Sequence, residues 1–291
     1  MSRAAPAVDR AVQVVNLLAG LRGETLSISE IAGQLRFNLS TCHSMLAELV
    51  KAGVLVRHPG TKRYALGPTL VTWGVASAFD SYRVLEFAEP EMSRLRHQLH
   101  VSCVARALVG PDTVVLARRD TDGPIAAFTP VGYRLAAVPP IGAEFIAWES
   151  DATIDEWLNR PQRALDTTER TRMHALLAEI RRDRYRFLWA DPAEQTPLAT
   201  ELIQTSASED EPGGDRLFEL LQRRGYGRGP RTGTLSAITV PIFGADAKPV
   251  LALLLTFNPV PIDISEVEHY LRPLIHTCQR ITTTIGGRAP N

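Results

Sequence analysis

Cysteine is scarce in this sequence, which has only three thiols among 291 residues. Cys42, Cys103 and Cys278 are odd in number and far apart, so neither a disulfide framework nor the ligand spacing of a zinc site is present. No apolar run approaches the ~18 residues of a membrane-spanning helix, and the N-terminus lacks the apolar core of a signal peptide. These absences predict a cytoplasmic protein with reduced thiols, no membrane segment and no bound metal.

Catalytic motifs are missing as well. The seven histidines are scattered, and the sequence contains no Gly-x-Ser-x-Gly elbow and no phosphate-binding loop. His97 and His100 lie three residues apart on one expected helix face, but no acidic or cysteine partner adjoins them, so a solvated face is a better interpretation than a metal site. We therefore predict no catalytic residues, no cofactor and no enzymatic activity.

Helical periodicity is strongest between residues 40 and 50. Apolar residues form one stripe there, at positions 42, 45, 46, 49 and 50. The opposite face carries short and mostly hydrogen-bonding side chains, namely Ser40, Thr41, Ser44, Ala47 and Glu48, with His43 at its edge. A helix that enters the major groove of DNA needs such a face, because long apolar side chains would be stranded against the base edges. The pattern predicts a DNA recognition helix.

A shorter helix is expected just before it. Ser27 and Glu30 have the spacing of a capping box, and Asn38 can act as both turn residue and cap for the recognition helix. A supporting helix is predicted upstream, capped by Asp9 and apolar at intervals up to Leu21. Two helices joined by so short a turn predict a helix-turn-helix.

A β-hairpin is predicted directly after the recognition helix. Gly53 is expected to end that helix, and residues 54–58 and 63–67 read as strands around a turn at 59–62. This order, with cations along the hairpin, is typical of a winged helix-turn-helix. We predict that Ser40, Thr41, His43 and Ser44 of the helix contact base edges or the phosphates that flank them. The hairpin is the wing of such a domain, and we predict that its cations Arg57, Lys62 and Arg63 contact the DNA backbone.

Residues 9–75 resemble the IclR family of bacterial transcription regulators. The resemblance is carried, in order, by the segments 9–15 (DRAVQVV), 26–32 (LSISEIA), 39–46 (LSTCHSML) and 64–68 (YALGP). It implies an α+β protein with a winged helix-turn-helix DNA-binding domain in 1–67, a linker helix in 68–83 and a GAF-like effector-binding domain in 84–291. It also implies a homodimer or a dimer of dimers whose heads are paired by the linker. A linker helix packed only on its own body is the alternative.

The residue pattern of the second half of the chain by itself predicts an α+β domain. Strand runs at 101–108, 113–119, 185–190, 236–243 and 250–257 are separated by expected helices at 141–148, 151–159 and 168–184, and a final helix spans 265–285. Strand runs separated in this way favour an antiparallel sheet covered by helices. Residues 192–232 form an insertion relative to the family, with a helix expected around 216–224.

The resemblance places an effector site in this domain, at Ile141, Gly142, Ala143, Asp191, Ala237, Leu254 and Thr256. Several of these residues are more apolar than those that the family usually has, which favours an aromatic or aliphatic acid as the effector. A glycine in the first turn of the expected helix 141–148 would expose backbone amides to the anionic end of such a ligand. The alternative is that these apolar residues only fill the core of a domain that binds nothing.

Charge is divided unevenly, although the whole chain is neutral. Residues 1–75 contain eight Lys and Arg against four acids, a net charge of +4, and the remaining 24 basic and 28 acidic residues give −4. A cationic head suits binding to phosphates, although such an excess is also common in ordinary domains. We expect a regulator that binds operator DNA and a small-molecule effector. The alternatives are a small-molecule sensor with a weak or vestigial DNA-binding head and a protein-interaction module.

Overall fold

The structure is a computed structural model that describes residues 6–21, 24–80, 83–120, 131–161, 163–190 and 232–290. The chain divides into two compact units, residues 1–83 and 84–291, here called the head and the body. No helix within the described ranges is long and apolar enough to cross a membrane.

Three helices form the core of the head. They are α1 (Pro6–Gly20), α2 (Ile28–Gln34) and α3 (Leu39–Lys51). Their buried faces meet around Val14, Ile31, Cys42 and Leu46, so the apolar stripe predicted for α3 is confirmed. The helix α1 already includes Pro6, so Asp9 lies inside its first turn and the predicted cap at Asp9 is wrong. Proline suits a first helical turn because it has no N–H to leave unpaired there.

The ends of α2 and α3 are capped as the sequence predicts. Ser27 Oγ accepts a hydrogen bond of 3.3 Å from the Glu30 amide, and the Glu30 carboxylate accepts one of 2.6 Å from the Ser27 amide. Asn38 Oδ1 accepts from the amide of Ser40 at 2.9 Å. At the far end of α3, Gly53 has φ +70° and the Val54 amide donates to the Leu49 carbonyl, which is a Schellman ending.

The predicted hairpin is present with shorter strands. Strand β1 (Leu55–Arg57) pairs antiparallel with β2 (Tyr64–Leu66), and Tyr64 also bridges to Leu26. The helix α4 (Thr69–Asp80) follows at once. Its first turn is tied to the end of α3, because the Thr69 hydroxyl donates to the Ala52 carbonyl at 2.9 Å.

The body is built on one six-stranded antiparallel sheet, in the spatial order β5-β4-β3-β8-β7-β6. The strands are β3 (Ser102–Val109), β4 (Asp112–Arg119), β5 (Arg134–Ala136), β6 (Arg186–Ala190), β7 (Thr232–Phe243) and β8 (Pro249–Asp263). The helices are α5 (Arg83–Leu99), α6 (Ala143–Ile146), α7 (Asp151–Leu158), α8 (Thr167–Asp183) and α9 (Ile264–Thr284). An α+β body with an antiparallel sheet is therefore confirmed.

The two faces of this sheet are covered by different helices. On one face, Cys278 of α9 donates a weak hydrogen bond to the Val240 carbonyl of β7. On the other, Leu108 of β3 packs with α6, α7 and α8 in a cluster centred on Trp157 and Met173. All three cysteines are free and buried, and burial raises the pKa of Cys103 to about 12.

One predicted helix is wrong in length. The helix expected at 141–148 is the single turn α6, Ala143–Ile146. The chain must leave the helical path soon after it, because Ser150 starts the next helix by accepting a hydrogen bond from the Thr153 amide. The insertion expected at 192–232 lies outside the described residues except for Thr232.

Candidate functional site

The outer face of α3 carries the four side chains predicted to meet the base edges. Ser40, Thr41, His43 and Ser44 are all exposed, whereas Cys42 between them is fully buried. The Ser44 hydroxyl donates to the Ser40 carbonyl at 3.3 Å, so its oxygen lone pairs face outward and can accept. These side chains thus share one polar surface on a helix whose register is fixed by its buried stripe.

The three predicted wing cations lie in different environments. Lys62 is exposed at the turn of the hairpin, and Arg57 lies with its guanidinium 5.5 Å from the centre of the Tyr64 ring. Arg63 points back into the head, where Nε and Nη2 donate to the Thr25 carbonyl at 3.0 and 2.6 Å. Lys62 and Arg57 are therefore the cations that the hairpin presents outward.

Arg63 also forms an ion pair that joins the hairpin to α2. Its Nη2 lies 2.9 Å from the Glu30 carboxylate, which also caps that helix. The pKa of Glu30 is lowered, first by the hydrogen bond from the Ser27 backbone and further by Arg63. The predicted phosphate contact of Arg63 thus competes with a structural role inside the head.

Three predicted effector residues lie together on the sheet. Ala237 of β7 stands opposite Thr256 of β8, and Leu254 stands opposite Thr239. Because side chains alternate along a strand, Ala237, Leu254 and Thr256 share one face, here called the ligand face. Leu254 and Thr256 are half-buried, whereas Leu253 and Leu255 on the opposite face are fully buried. The ligand face is thus the less tightly covered side of β8.

The segment Ile141–Ala143 is closely packed. The Ile141 carbonyl accepts a hydrogen bond of 3.0 Å from the Trp157 indole, and a Cβ on Gly142 would lie 3.1 Å from the Ala137 methyl carbon. The Ala143 amide donates to the Pro140 carbonyl, and both Phe145 and Ile146 donate to the Gly142 carbonyl. The Ala143 amide is therefore not open to a ligand, and a ligand contact of the Gly142 amide stays a prediction. Asp191 lies outside the described residues.

A buried charge cluster that the sequence reading missed lies beside this turn. Glu144 of α6 is only 1% exposed and lies between two guanidinium groups. Arg106 Nη2 of β3 donates to Glu144 Oε1 at 3.0 Å, and Arg186 Nε of β6 lies 3.1 Å from Oε2. The side chains of Arg106 and Arg186 are 12% and 7% exposed.

The cluster is on the same side of the sheet as the predicted effector residues. Arg186 stands opposite Thr239, which in turn stands opposite Leu254. Arg106 stands opposite Ala252, two residues from Leu254 along β8. Both arginines therefore project from the ligand face and reach over the strands between them to meet at Glu144.

The two guanidinium groups keep the Glu144 carboxylate in its ionised form. Burial by itself raises the pKa of Glu144, but Arg186 and then Arg106 outweigh burial, so the pKa is lowered and the carboxylate is ionised at neutral pH. Burial lowers the pKa of Arg106, Glu144 opposes that shift, and Arg186 adds to it. Because arginine stays protonated near neutral pH even so, the cluster holds two positive charges and one negative charge.

One sequence signal for the cluster was present. Glu144 is the lone charged residue in the run Ile141–Trp148, and Arg106 interrupts an apolar strand at 103–109. Neither position reveals its partner, because the ion pair joins residues 38 positions apart. Within the described part of the chain, no three His, Cys, Asp or Glu side chains come close enough to hold a metal ion.

Comparison with known proteins relates both units to one family. Residues 7–59 match the IclR helix-turn-helix domain. Over 194 residues the chain is 30% identical to the HTH-type transcriptional regulator BhcR of Paracoccus denitrificans (strain Pd 1222). The aligned residues cover 66% of this chain and 68% of that protein.

Solved structures extend the likeness of fold to nearly the whole chain. An IclR-type transcriptional regulator from Alicyclobacillus acidocaldarius superposes with a TM-score of 0.67 at 21% identity, over 98% of this chain and 100% of that one. An IclR homologue from Microbacterium hydrocarbonoxydans, crystallised with 4-hydroxybenzoate, superposes with a TM-score of 0.64 at 19% identity, over 96% of this chain and 98% of that one.

Proposed function

Because this chain belongs to the IclR family of transcriptional regulators, we propose that residues 1–67 bind operator DNA under the control of a small acid bound by residues 84–291. Residues 68–83 would connect the two and pair the heads of a homodimer or a dimer of dimers. In this proposal the protein acts by binding and not by catalysis, and it works in the cytoplasm, where its DNA lies. The coupling needed between the two sites is modest, since about 1–3 kcal/mol is usual for such control.

The exposed face of α3 supports the proposed contacts to DNA. Ser40, Thr41, His43 and Ser44 are short enough to let the helix approach the groove, and each can donate to or accept from a base edge or a phosphate. Arg57 and Lys62 would bind the phosphate backbone beside the groove. Arg63 would add positive charge there while its hydrogen bonds to Thr25 and Glu30 hold the hairpin against α2.

The ligand face supports an aromatic or aliphatic acid as the effector. Ala237 and Leu254 provide an apolar surface beside the hydroxyl of Thr256. A relative of the same fold was crystallised with 4-hydroxybenzoate, an aromatic acid of the proposed class. Ile141, Gly142 and Ala143 would support the wall of the site through their packing, and Asp191 remains a candidate contact.

The proposed DNA contacts can be tested with a gel-shift assay at several salt concentrations, on the DNA upstream of the protein's own gene. Lys62→Ala should weaken binding to all sequences alike and reduce the salt slope by about one unit, because one phosphate contact is lost. Ser44→Ala should instead change the order of preference among operator variants, because it alters the surface that faces the bases.

Lys248→Ala is the matched control for the loss of one cation. Lys248 is an exposed body residue paired with Glu149, so its replacement should leave the salt slope as in the wild type. Wild-type protein that does not retard its upstream DNA specifically at any salt concentration would favour the alternative of a sensor with a vestigial head. Unchanged binding by both head variants would reject the assigned residues.

A further inference from the structure

The side chains of Arg106, Glu144 and Arg186, here called the charge cluster, are nearly buried and carry two positive charges and one negative charge. Burying an uncompensated charge is strongly unfavourable, so an interior usually pairs each cation with an anion. Among the described residues, Arg106 Nε, Arg186 Nε and Glu144 Oε2 have no properly directed hydrogen bond. The contact of Arg186 with Glu144 is therefore an ion pair at 3.1 Å whose N–H is not aimed at the oxygen.

The position of the cluster shows which side of the molecule this excess charge faces. Arg106 and Arg186 project from strands three positions apart in the sheet, a span of about 14 Å at the usual strand spacing. Their guanidinium groups meet over β8 and β7, on the face that also carries the half-buried side chains of Leu254 and Thr256. Thr239 projects from that face as well, opposite Leu254. A surface of apolar and hydroxyl side chains therefore adjoins a pair of buried cations.

We propose that Arg106 and Arg186 form the anion-binding end of the effector site, where a ligand carboxylate accepts hydrogen bonds from their free N–H groups. This proposal rests on the proposed role of the body as a sensor of small acids, and it names the residues that recognise the acid group. Glu144 holds the two guanidinium groups toward each other. A singly charged carboxylate then brings the cluster to neutrality, and the apolar part of the ligand lies along Leu254 and Ala237.

A merely structural role of the cluster leads to a different expectation. One arginine suffices to neutralise Glu144, and Arg106 already does so through a hydrogen bond of 3.0 Å. Replacing Arg186 with methionine leaves a neutral pair and keeps the length of the apolar stem, so the domain should fold. If Arg186 serves the ligand, this variant loses affinity for acids without losing its fold. If Arg186 serves only the fold, the variant loses stability without losing affinity.

The test uses four carboxylates and their neutral amides as probes: benzoate, 4-hydroxybenzoate, phenylacetate and hexanoate, each with the matching amide. Affinities for the full-length protein are measured by isothermal titration calorimetry, and folding is followed by circular dichroism. At least one acid should bind the wild type about tenfold or more tightly than its amide, since hydrogen bonds to charged groups contribute this much. Arg186→Met should reduce the affinity for that acid by a similar factor.

Three further variants keep the test decisive. Arg186→Lys keeps the charge but loses the planar fork, so its affinity should fall between those of wild type and Arg186→Met. Arg272→Met removes an exposed arginine of α9 that is paired with Glu268, and it should bind as the wild type does. Should Arg186→Met fail to fold, Arg106→Met replaces it, since it also leaves one arginine for Glu144.

Three results would overturn the proposal: equal binding of acids and amides, wild-type affinity for acids in folded Arg186→Met and Arg106→Met, or no binding of any of the four acids. The gel-shift assay separates this failure from that of the proposed function. DNA binding without acid binding would reject the anion site and leave the DNA-binding head in place. Acid binding that requires Arg186 but never alters DNA binding would support the anion site and reject effector control.

Discussion

Individual side chains on the ligand face set what the body can recognise. Thr256 is half-buried and stands opposite Ala237, where its hydroxyl lies beside the apolar side chains of Ala237 and Leu254. A hydroxyl in this position can donate to a ligand oxygen while the methyl group packs against the hydrocarbon part. Its contribution should therefore be measurable separately from that of the arginines.

Thr256→Val tests that contribution, because it removes the hydroxyl and keeps the shape of the side chain. Affinity for an acid that binds the wild type should fall by about 2- to 10-fold, the usual effect of losing one neutral hydrogen bond. Calorimetric titration provides the measurement, with Thr284→Val on the exposed side of α9 as the control. Identical affinity in wild type and Thr256→Val would mean that this hydroxyl does not contact the ligand.

The wing cations show why residue type alone does not reveal a role. Lys62 and Arg63 are neighbours in sequence and carry the same charge, yet Lys62 is exposed and Arg63 donates to Thr25 and Glu30. That difference depends on where α2 lies relative to the hairpin, which is a matter of tertiary packing. The sequence therefore predicted the cations of the wing but not which of them the head uses internally.

Elements with local signals were predicted closely. The helix α3 has its stripe, its Asn38 cap and its Gly53 ending within the segment itself, and all three are present in the structure. The helix α6 lacks such signals at its C-terminal end, and the cap at Ser150 limits it to one turn. Glu144 shows the same limit at the site, because its two partners come from distant strands. The residue pattern within one segment is enough to predict a helix or strand. A binding site that is built from several segments can be recognised only from their contacts in the folded structure.

The junction of α3, the hairpin and α4 depends on a close approach of two backbones. The Gly67 amide donates to the Val54 carbonyl at 2.7 Å, and a Cβ on Gly67 would lie only 2.2 Å from the Gly53 carbonyl oxygen. The blocking atom belongs to the backbone, so it cannot turn away as a side chain would. Any other residue at position 67 must push the hairpin away from the end of the recognition helix.

Gly67→Ala should therefore destabilise the head and weaken DNA binding, although the new methyl group faces no DNA contact. We expect a loss of about 1–3 kcal/mol of unfolding free energy, typical of an overpacked site, measured by urea denaturation with circular dichroism. Gly33→Ala is the matched control, because a Cβ there meets nothing within 4 Å and the residue lies in the last turn of α2. It should stabilise the head by about 0.4–1 kcal/mol, the usual gain where alanine fits the backbone of a glycine. Equal effects of the two substitutions would contradict the argument.

At the scale of the whole molecule, the N-terminal part of the chain is cationic, the remainder is anionic, and α4 has exposed apolar side chains. The net charge of +4 in residues 1–75 is balanced by −4 in the remainder. The helix α4 follows the hairpin directly, and among its described side chains two large apolar ones are exposed, Val71 at 68% and Trp73 at 56%. Large apolar groups exposed this far are typical of surfaces that bind another protein. A second copy of the chain is the partner we propose, since two heads at a fixed spacing match two half-sites in DNA.

Trp73→Glu tests this assembly, because it places a charge where the proposed two-fold contact buries an indole. The variant should dissociate to monomers, measured by light scattering, and should bind operator DNA less tightly because the second half-site no longer adds to the first. Val250→Glu is the control, since it adds the same charge at an exposed apolar position at the start of β8 and should keep the wild-type assembly. A Trp73→Glu protein that keeps the wild-type mass would exclude α4 as the dimer contact. Loss of dimers with unchanged operator affinity would instead show that one head suffices for binding.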